Sequence, residues 1–308
     1  MSDIAAALPR SSTKTPVKSG TVPLWTLLLT GVFALMLLLV VSQQPDGRLH
    51  VWVLDVGQGD AILLRTPRGH TALIDGGPGA TPLLNGIGER IPFWQHDLDL
   101  IVLTHPHQDH IMGLVDVLAR YEVDQVVQTK FTATAGVQAE WMRLVKERSI
   151  PVHNAMRGER ISFEGEPDLS LQVLHPKATG RGDRQQGNPN EDSIVLKLTY
   201  GRHGVLLEGD AEEDAERLMV REAVSALPSQ ILKVAHHGSD TSSSAQFIDL
   251  VDPQVAIISV GQGNRFGHPA PVTIETLAAS GARIYRTDVN GTVEIIADTE
   301  RMWVRSDR

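Results

Sequence analysis

The stretch that decides the fold is His105-Pro106-His107-Gln108-Asp109-His110, which directly follows an apolar run that ends at Leu103. Imidazole nitrogens and carboxylate oxygens are the ligands that suit zinc, manganese and iron. His105 and His107 are two positions apart, so in an extended segment they face the same side. Asp109 and His110 are adjacent in sequence, so their side chains point in different directions. The two directions predict sites for two metal ions at the end of a strand.

Composition narrows the class of protein. The chain has 308 residues, a formal net charge of −9 and no cysteine. The negative charge argues against a protein that coats nucleic acid over its whole surface, although it allows a local basic groove. Without cysteine there is no disulfide, no thiolate metal ligand and no cysteine nucleophile. About 260 residues follow the N-terminal segment, enough for one large domain or two small ones.

The segment 24–42 predicts a membrane anchor, because it is apolar on every face and carries no charge. At about 1.5 Å per residue, a helix of this length matches the thickness of a bilayer core. Arg10, Lys14 and Lys18 precede it, so we expect a single-pass protein of a bacterial inner or plasma membrane with its following domain extracytoplasmic. A cleaved signal peptide is the alternative, but the residues after the segment form a poor cleavage site. Residues 1–23 predict a disordered tail.

Two parts of the chain share one order of elements: a hairpin, an aspartate beside glycine, a connecting segment, and a strand that ends in histidine. The first part leads through Asp75 to His105, and the second leads through Asp210 to His236. An internal duplication built as two packed βα halves would bring these four strand ends to one edge. Ligands that meet at a shared edge are what a catalytic cleft in a layered fold requires.

Helices fit between the predicted strands. Apolar residues recur at helical spacing over 112–119, where Asp109 is positioned to cap the helix. Further helices are predicted at 139–148 and 212–226. The pattern predicts an α/β fold with two sheets between outer helices rather than a parallel doubly wound sheet.

These motifs resemble the metallo-β-lactamase superfamily and, more narrowly, the metal-dependent hydrolase domain of ComEC-type DNA-uptake (competence) proteins. Besides the histidine loop, the matching stretches are 54–61, 73–77, 236–239 and 267–269. The resemblance covers about residues 50–296. It implies a four-layer αββα metallo-β-lactamase sandwich over residues 48–300, after the N-terminal transmembrane helix. Such uptake proteins carry a large multi-helix channel region, so the single span here suggests a stand-alone relative or a separate DNA-channel protein.

The resemblance also implies metal ligands, which are His105, His107, Asp109, His110, Asp210 and His236. His105 and His107 would hold the first of two divalent ions, zinc or manganese, and Asp210 would bridge both ions. Asp75 would orient the histidine loop from behind. His237 would be an alternative ligand or a substrate contact. Hydroxide between the ions would be the nucleophile, with Asp109 or Asp210 orienting the water and taking its proton.

The superfamily's middle histidine has no counterpart before the second hairpin, where the chain reads Asn188-Pro189-Asn190-Glu191-Asp192-Ser193. An oxygen from Asp192 or Asn190 could substitute for it, which would favour manganese over zinc. Otherwise one of the two sites would be weak or empty.

Three residues are candidates for contacts with substrate. His268 could act as the leaving-group acid, could contact a phosphate, or could simply pack against Pro269. Asn264 lies nearby in sequence and could assist His268. Ser239 opens a hydroxyl-rich run that could bind phosphate oxygens, although capping of a following helix is the simpler explanation.

The leading functional hypothesis is hydrolysis of DNA phosphodiester bonds at the outer face of the membrane during DNA uptake. A second hypothesis keeps the enzyme class and changes the bond to an ester, thioester, lactone or small phosphodiester, because one fold serves many chemistries. A third is a non-catalytic membrane-anchored adaptor with a degenerate metal site. The missing middle histidine supports the adaptor, whereas the retention of the other ligand positions speaks against it.

Overall fold

The computed structural model describes residues 23–177 and 188–308. The predicted tail lies outside these ranges except for Pro23. The chain divides into two compact units, Met1–Gln43 and Gln44–Arg308. The second unit extends past the predicted domain end at residue 300, because a last strand pairs there with the strand before it.

The first unit contains helix α1, Leu24–Ser42. This helix has the bounds predicted from sequence, and none of its residues is buried. Its length and apolar composition are sufficient to cross a membrane.

The second unit combines two large sheets with seven helices among the described residues. The helices are α2 Ala80–Gly88, α3 Gln108–Arg120, α4 Gly136–Glu147, α5 Glu213–Glu222, α6 Ala245–Val251, α7 Pro271–Ala279 and α8 Thr287–Asn290. The strands up to residue 154 are β1 Leu49–Val53, β2 Ile62–Arg65, β3 Thr71–Ile74, β4 Asp97–Leu98, β5 Leu100–Leu103, β6 Glu122–Val123, β7 Val126–Gln128 and β8 Val152–Asn154. The later strands are β9 Arg160–Ser162, β10 Leu169–His175, β11 Val195–Tyr200, β12 His203–Leu207, β13 Ile231–Lys233, β14 Val255–Ile258, β15 Arg283–Arg286, β16 Val293–Ala297 and β17 Met302–Ser306.

The two sheets repeat one topology. The first has the strand order β17-β16-β1-β2-β3-β5-β7-β8, and the second has the order β15-β14-β13-β12-β11-β10-β9. In the first sheet, β1, β2 and β3 are antiparallel, and β3, β5, β7 and β8 are parallel. In the second, β10, β11 and β12 are antiparallel, and β12 to β15 are parallel. The internal duplication predicted from sequence is confirmed.

Three apolar layers hold the sheets and helices together. Successive residues of a strand point to opposite faces. Leu64 packs between the two sheets and Leu63 packs toward the helices of the first half. In the second half, Leu207 lies between the sheets and Leu206 lies toward the helices. All four side chains are buried. This arrangement confirms the predicted four-layer αββα sandwich.

Local details differ from the sequence prediction in two places. Helix α3 begins at Gln108, so Asp109 lies inside the first turn instead of capping the helix, and its carboxylate is free to face the site. The hydroxyl-rich run does not cap α6 with a side chain. Instead, the buried carboxylate of Glu216 accepts hydrogen bonds from the backbone amides of Ser243 and Ser244. Helix-capping propensity could not reveal these hydrogen bonds, because the acceptor belongs to a different helix.

Close backbone contact fixes α3 against the loop that follows β3. A Cβ atom at Gly113 would lie 2.0 Å from the carbonyl oxygen of Gly76 and 2.7 Å from Cδ2 of Leu83. Only a residue without a side chain fits there, and α3 carries the second half of the histidine loop.

We predict that Gly113→Ala destabilises the protein by roughly 1–3 kcal/mol, because overpacking forces backbone displacement. Gly88→Ala is the matched control, since a Cβ at Gly88 meets nothing within 4 Å. Thermal unfolding of the full chain in detergent should show a lower midpoint for the first variant alone. Equal midpoints for the two variants would contradict the packing argument.

Candidate metal centre

The proposed ligands and Asp75, which supports them, follow four strand ends that meet at one edge of the sandwich. Asp75 follows β3 and His105 follows β5, while Asp210 follows β12 and His237 follows β13. Asp75, His236 and His237 have positive φ values of 58°, 47° and 54°. Such left-handed conformations cost of order 1–3 kcal/mol in a non-glycine residue and are concentrated at functional sites.

The first group of potential ligands consists of His105, His107 and Asp210, whose ligand atoms all lie within 4.8 Å of one another. His105 Nε2 is 3.0 Å from His107 Nδ1 and 3.6 Å from Asp210 Oδ2. His105 and Asp210 are buried, whereas His107 is half-buried. The pair two positions apart thus faces one side, as predicted.

The second group consists of Asp109, His110 and His237, again within 4.8 Å of one another. His237 Nε2 lies 3.3 Å from Asp109 Oδ2. Asp210 adjoins this group as well, because its Oδ1 is 3.3 Å from His110 Nε2 and its Oδ2 is 3.7 Å from His237 Nε2. The carboxylate of Asp210 therefore lies between the two groups, as a bridging ligand must.

The geometry favours His237 over His236 for the second group. His236 is in neither group. Its Nε2 is 3.9 Å from Asp210 Oδ2, and its Nδ1 lies 3.1 Å from Thr241 Oγ1. Its side chain is 22% exposed, against 2% for His237. The sequence assigned the ligand role to His236 and kept His237 as the alternative. The structure instead turns His237 inward and leaves His236 at the rim.

Asp75 supports the histidine loop from behind. Its carboxylate accepts hydrogen bonds from the amide of Thr104 at 2.8 Å and from Thr104 Oγ1 at 2.6 Å. The same carboxylate is 2.8 Å from His110 Nδ1. A proton on Nδ1 directs the Nε2 lone pair of His110 into the site, as in metal centres whose histidines are held by a second carboxylate. This is the position expected of Asp75.

Electrostatics make the centre attractive to cations. Burial alone would lower the pKa of His237, but the carboxylates of Asp210, Asp109 and Asp60 outweigh burial and raise it to about 9. Burial likewise opposes the charge of His110, yet nearby carboxylates raise its pKa well above the usual value. Carboxylates that stabilise positive charge on these two buried imidazoles also favour divalent cations at the same place.

The donor set fits divalent metal ions. His110 Nε2 and Asp210 Oδ1 are buried and face each other at 3.3 Å, and within the described residues neither atom makes a well-formed hydrogen bond. Buried polar atoms without partners are costly unless a ligand satisfies them. The groups offer imidazole nitrogen and carboxylate oxygen without sulfur, which suits zinc and manganese alike.

The short turn Pro189–Asp192 occupies the place of the absent middle histidine. It turns Asn190 inward and leaves Asp192 exposed. Asn190 donates from Nδ2 to Glu212 Oε1 at 2.9 Å, while its buried Oδ1 has no hydrogen-bond partner in the described part of the chain. Of the two oxygen donors considered from sequence, Asn190 therefore remains a candidate. The expectation for Asp192 is wrong, since its side chain faces solvent.

The three residues expected to contact substrate lie in different surroundings. His268 is half-buried, with its ring centroid 5.5 Å from that of His236 and 6.3 Å from that of His237. Burial and these two histidines lower the pKa of His268. The side-chain amide of Asn264 is hydrogen-bonded within its own loop, to Gly261 and His268. Ser239 is buried and accepts a hydrogen bond from the amide of Thr241 at 3.2 Å, so it shapes a turn.

A buried ion pair behind His237 escaped the sequence analysis. Lys233 donates from Nζ to Asp60, and both side chains are almost fully buried. Burial would raise the pKa of Asp60, but the Lys233 ammonium holds it well below its usual range. Asp60 Oδ1 lies 3.4 Å from His237 Nδ1, so the pair supports the ring from behind. The available signal was Lys233 itself, a lone charge within an apolar strand.

Comparison with known proteins now identifies the family. The family model for the metallo-beta-lactamase superfamily matches residues 54–262. The chain belongs to the metallo-β-lactamase superfamily. Members of this fold family bind divalent metal ions, in agreement with the histidine and aspartate groups. The predicted family is confirmed.

The superfamily member described here is similar to competence proteins. It is 30% identical over 275 residues to ComE operon protein 3 of Bacillus subtilis, covering 84% of this chain and 34% of that protein. It is 29% identical over 256 residues to competence protein ComA of Neisseria gonorrhoeae, covering 81% of this chain and 32% of the relative. The chain thus spans about a third of the length of these relatives.

Among solved structures, the metallo-beta-lactamase fold protein YhfI from Bacillus subtilis matches with a TM-score of 0.52 at 11% identity. The match covers 83% of this chain and 99% of YhfI. At this identity the likeness shows the fold alone.

We predict that His237→Ala weakens binding of one of two manganese ions by more than about tenfold, because a ligand is removed. His236→Ala is the matched control and should retain both binding events, since this ring lies at the rim. Isothermal titration calorimetry of each metal-stripped full-length variant in detergent measures the number and affinity of the manganese-binding events. Loss of a binding event in His236→Ala, with two events retained in His237→Ala, would reverse the assignment.

Proposed function

We propose that the protein is a membrane-anchored, metal-dependent phosphodiesterase that cleaves DNA during uptake. The observation that carries the proposal is the pair of adjacent ligand groups, with Asp210 in the first group and its carboxylate 3.3 to 3.7 Å from His110 and His237 of the second, in a chain similar to competence proteins along most of its length. The shared carboxylate supports a two-ion centre, and the relatives support DNA as the substrate.

In this proposal His105 and His107 would hold the first ion, and Asp109, His110 and His237 would hold the second. Asp210 would be a ligand at both positions, and Asn190 is the candidate for the position of the missing histidine. Divalent ions, when bound, would supply an activated water and neutralise negative charge on a phosphate. Whether the ions are zinc or manganese depends on the contribution of Asn190, since an added oxygen ligand favours manganese.

Residues at the rim of the centre would orient the substrate. Asp109 is 34% exposed, so its carboxylate can be reached from solvent and can orient a water molecule or accept its proton. The rings of His236 and His268 are nearly perpendicular, with 5.5 Å between their centroids. Within the described residues, the buried Nδ1 of His268 has no hydrogen-bond partner. We assign these two imidazoles to contacts with the phosphate or with the leaving oxygen.

Helix α1 would anchor the enzyme in a bacterial inner or plasma membrane. The basic residues Arg10, Lys14 and Lys18 before the helix favour a cytoplasmic N-terminus. The catalytic unit would then lie outside the cytoplasm, where incoming DNA first meets the cell. A DNA channel, in this proposal, belongs to a separate protein or to sequence beyond these residues.

We predict metal-dependent cleavage of end-labelled DNA by the full chain in detergent, after removal of bound metal and addition of manganese or zinc. His105→Ala and Asp210→Ala should lower the rate by at least about 100-fold, because ligand loss should cost no less than loss of an outer partner. His153→Ala is the matched control, since this exposed histidine pairs only with Glu159 among the described contacts.

A folded, metal-loaded protein that cleaves neither single- nor double-stranded DNA would contradict the proposal. Hydrolysis of a small ester, thioester, lactone or phosphodiester under those conditions would show that the same metal centre acts on a different substrate. Metal analysis that found no bound ion would instead favour a non-catalytic adaptor.

A further inference from the structure

An exposed aromatic side chain lies beside the candidate metal centre. Phe266 belongs to the loop between β14 and α7, and 57% of its surface is exposed. Its ring centroid lies 5.9 Å from that of His268, with an interplanar angle of 29°. The centroid of His268 is in turn 6.3 Å from that of His237. A row of rings therefore leads from the second ligand group to the surface.

A basic side chain accompanies the exposed ring. The guanidinium carbon of Arg265 lies over Phe266, 5.4 Å from the ring centroid. Arg265 is itself exposed. Its long side chain can turn from the ring to a nearby anion and so free the ring face. Aromatic rings that stack on bases, next to cations that contact phosphates, are the elements with which proteins bind single strands.

The loop presents Phe266 on a braced backbone. Asn264 donates from Nδ2 to the carbonyl oxygens of Gly261 and His268, at 3.1 and 2.7 Å. Its Oδ1 accepts from the amides of Phe266 and His268, each at 3.1 Å. Gly261 in turn donates its amide to Gln58 Oε1 at 3.1 Å. A loop whose backbone is held by this many hydrogen bonds loses little further freedom when a ligand stacks on a ring that it carries.

We propose that Phe266 is the stacking platform for a nucleobase adjacent to the cleaved phosphate, and that Arg265 contacts the neighbouring phosphate of the same strand. This inference rests on the proposed function and makes it more specific. A base can stack on Phe266 only after it leaves its neighbours in a duplex, so the substrate class is single-stranded DNA. The platform recognises every base, because each base has a flat aromatic face.

The test is binding of a 2-aminopurine-labelled oligonucleotide to the full chain in detergent, with manganese and the cleavage-impaired Asp210→Ala background. Phe266→Ala should raise the dissociation constant for the single strand about tenfold and abolish most of the stacking-induced fluorescence quenching. Phe266→Trp should retain both affinity and quenching. Arg265→Ala should weaken binding and reduce its dependence on salt concentration.

Phe93→Ala is the matched control, because Phe93 is 69% exposed and lies on a different loop. It should bind the single strand as the parent does. Double-stranded DNA of the same sequence should bind Phe266→Ala and the parent equally.

Unchanged single-strand affinity in Phe266→Ala, with cleavage of DNA by the wild-type chain, would overturn the platform and leave the proposed function standing. Equal losses for single and double strands would also overturn it. A wild-type chain that cleaves no DNA, and a parent that binds none, would refute the proposed function and this inference together.

Discussion

The buried carboxylate of Asp210 is the interaction on which the centre depends. It faces His105, His110 and His237 at 3.3 to 3.7 Å, with His236 slightly farther away at 3.9 Å. Burial would raise the pKa of Asp210, but these imidazoles lower it well below the usual value. A carboxylate ionised in such surroundings needs cations around it. Both halves of the fold supply these imidazoles, because His105 and His110 come from the first half and His237 comes from the second.

The repeated topology explains why these groups converge. Each half places an antiparallel hairpin before a parallel strand pair, and the ligand groups that follow these strands in the two halves lie together. Ligands attached directly after strands therefore need no long loops to meet. The duplicated order of strand, aspartate and histidine thus predicted two sheets whose strand ends converge at one edge, whereas the individual ligands were implied by the resemblance to the superfamily and remain a prediction.

Features that join distant parts of the chain could not be predicted in the same way. Asp60 and Lys233 are far apart in sequence and meet only after the halves pack. The sequence also could not decide between His236 and His237 as the ligand. Both residues have left-handed backbone conformations, so the rule that side chains alternate in an extended chain does not apply to them. Asn264 was considered a substrate contact because it lies near His268 in sequence, and only the structure shows that its hydrogen bonds close the loop.

The most direct test of the account is electron paramagnetic resonance of the manganese-loaded full chain. Two ions that share the Asp210 carboxylate would be spin-coupled, and their spectrum should differ from that of isolated manganese and revert to it in Asp210→Ala. A wild-type spectrum of uncoupled ions at saturating manganese would contradict a centre built around one shared carboxylate.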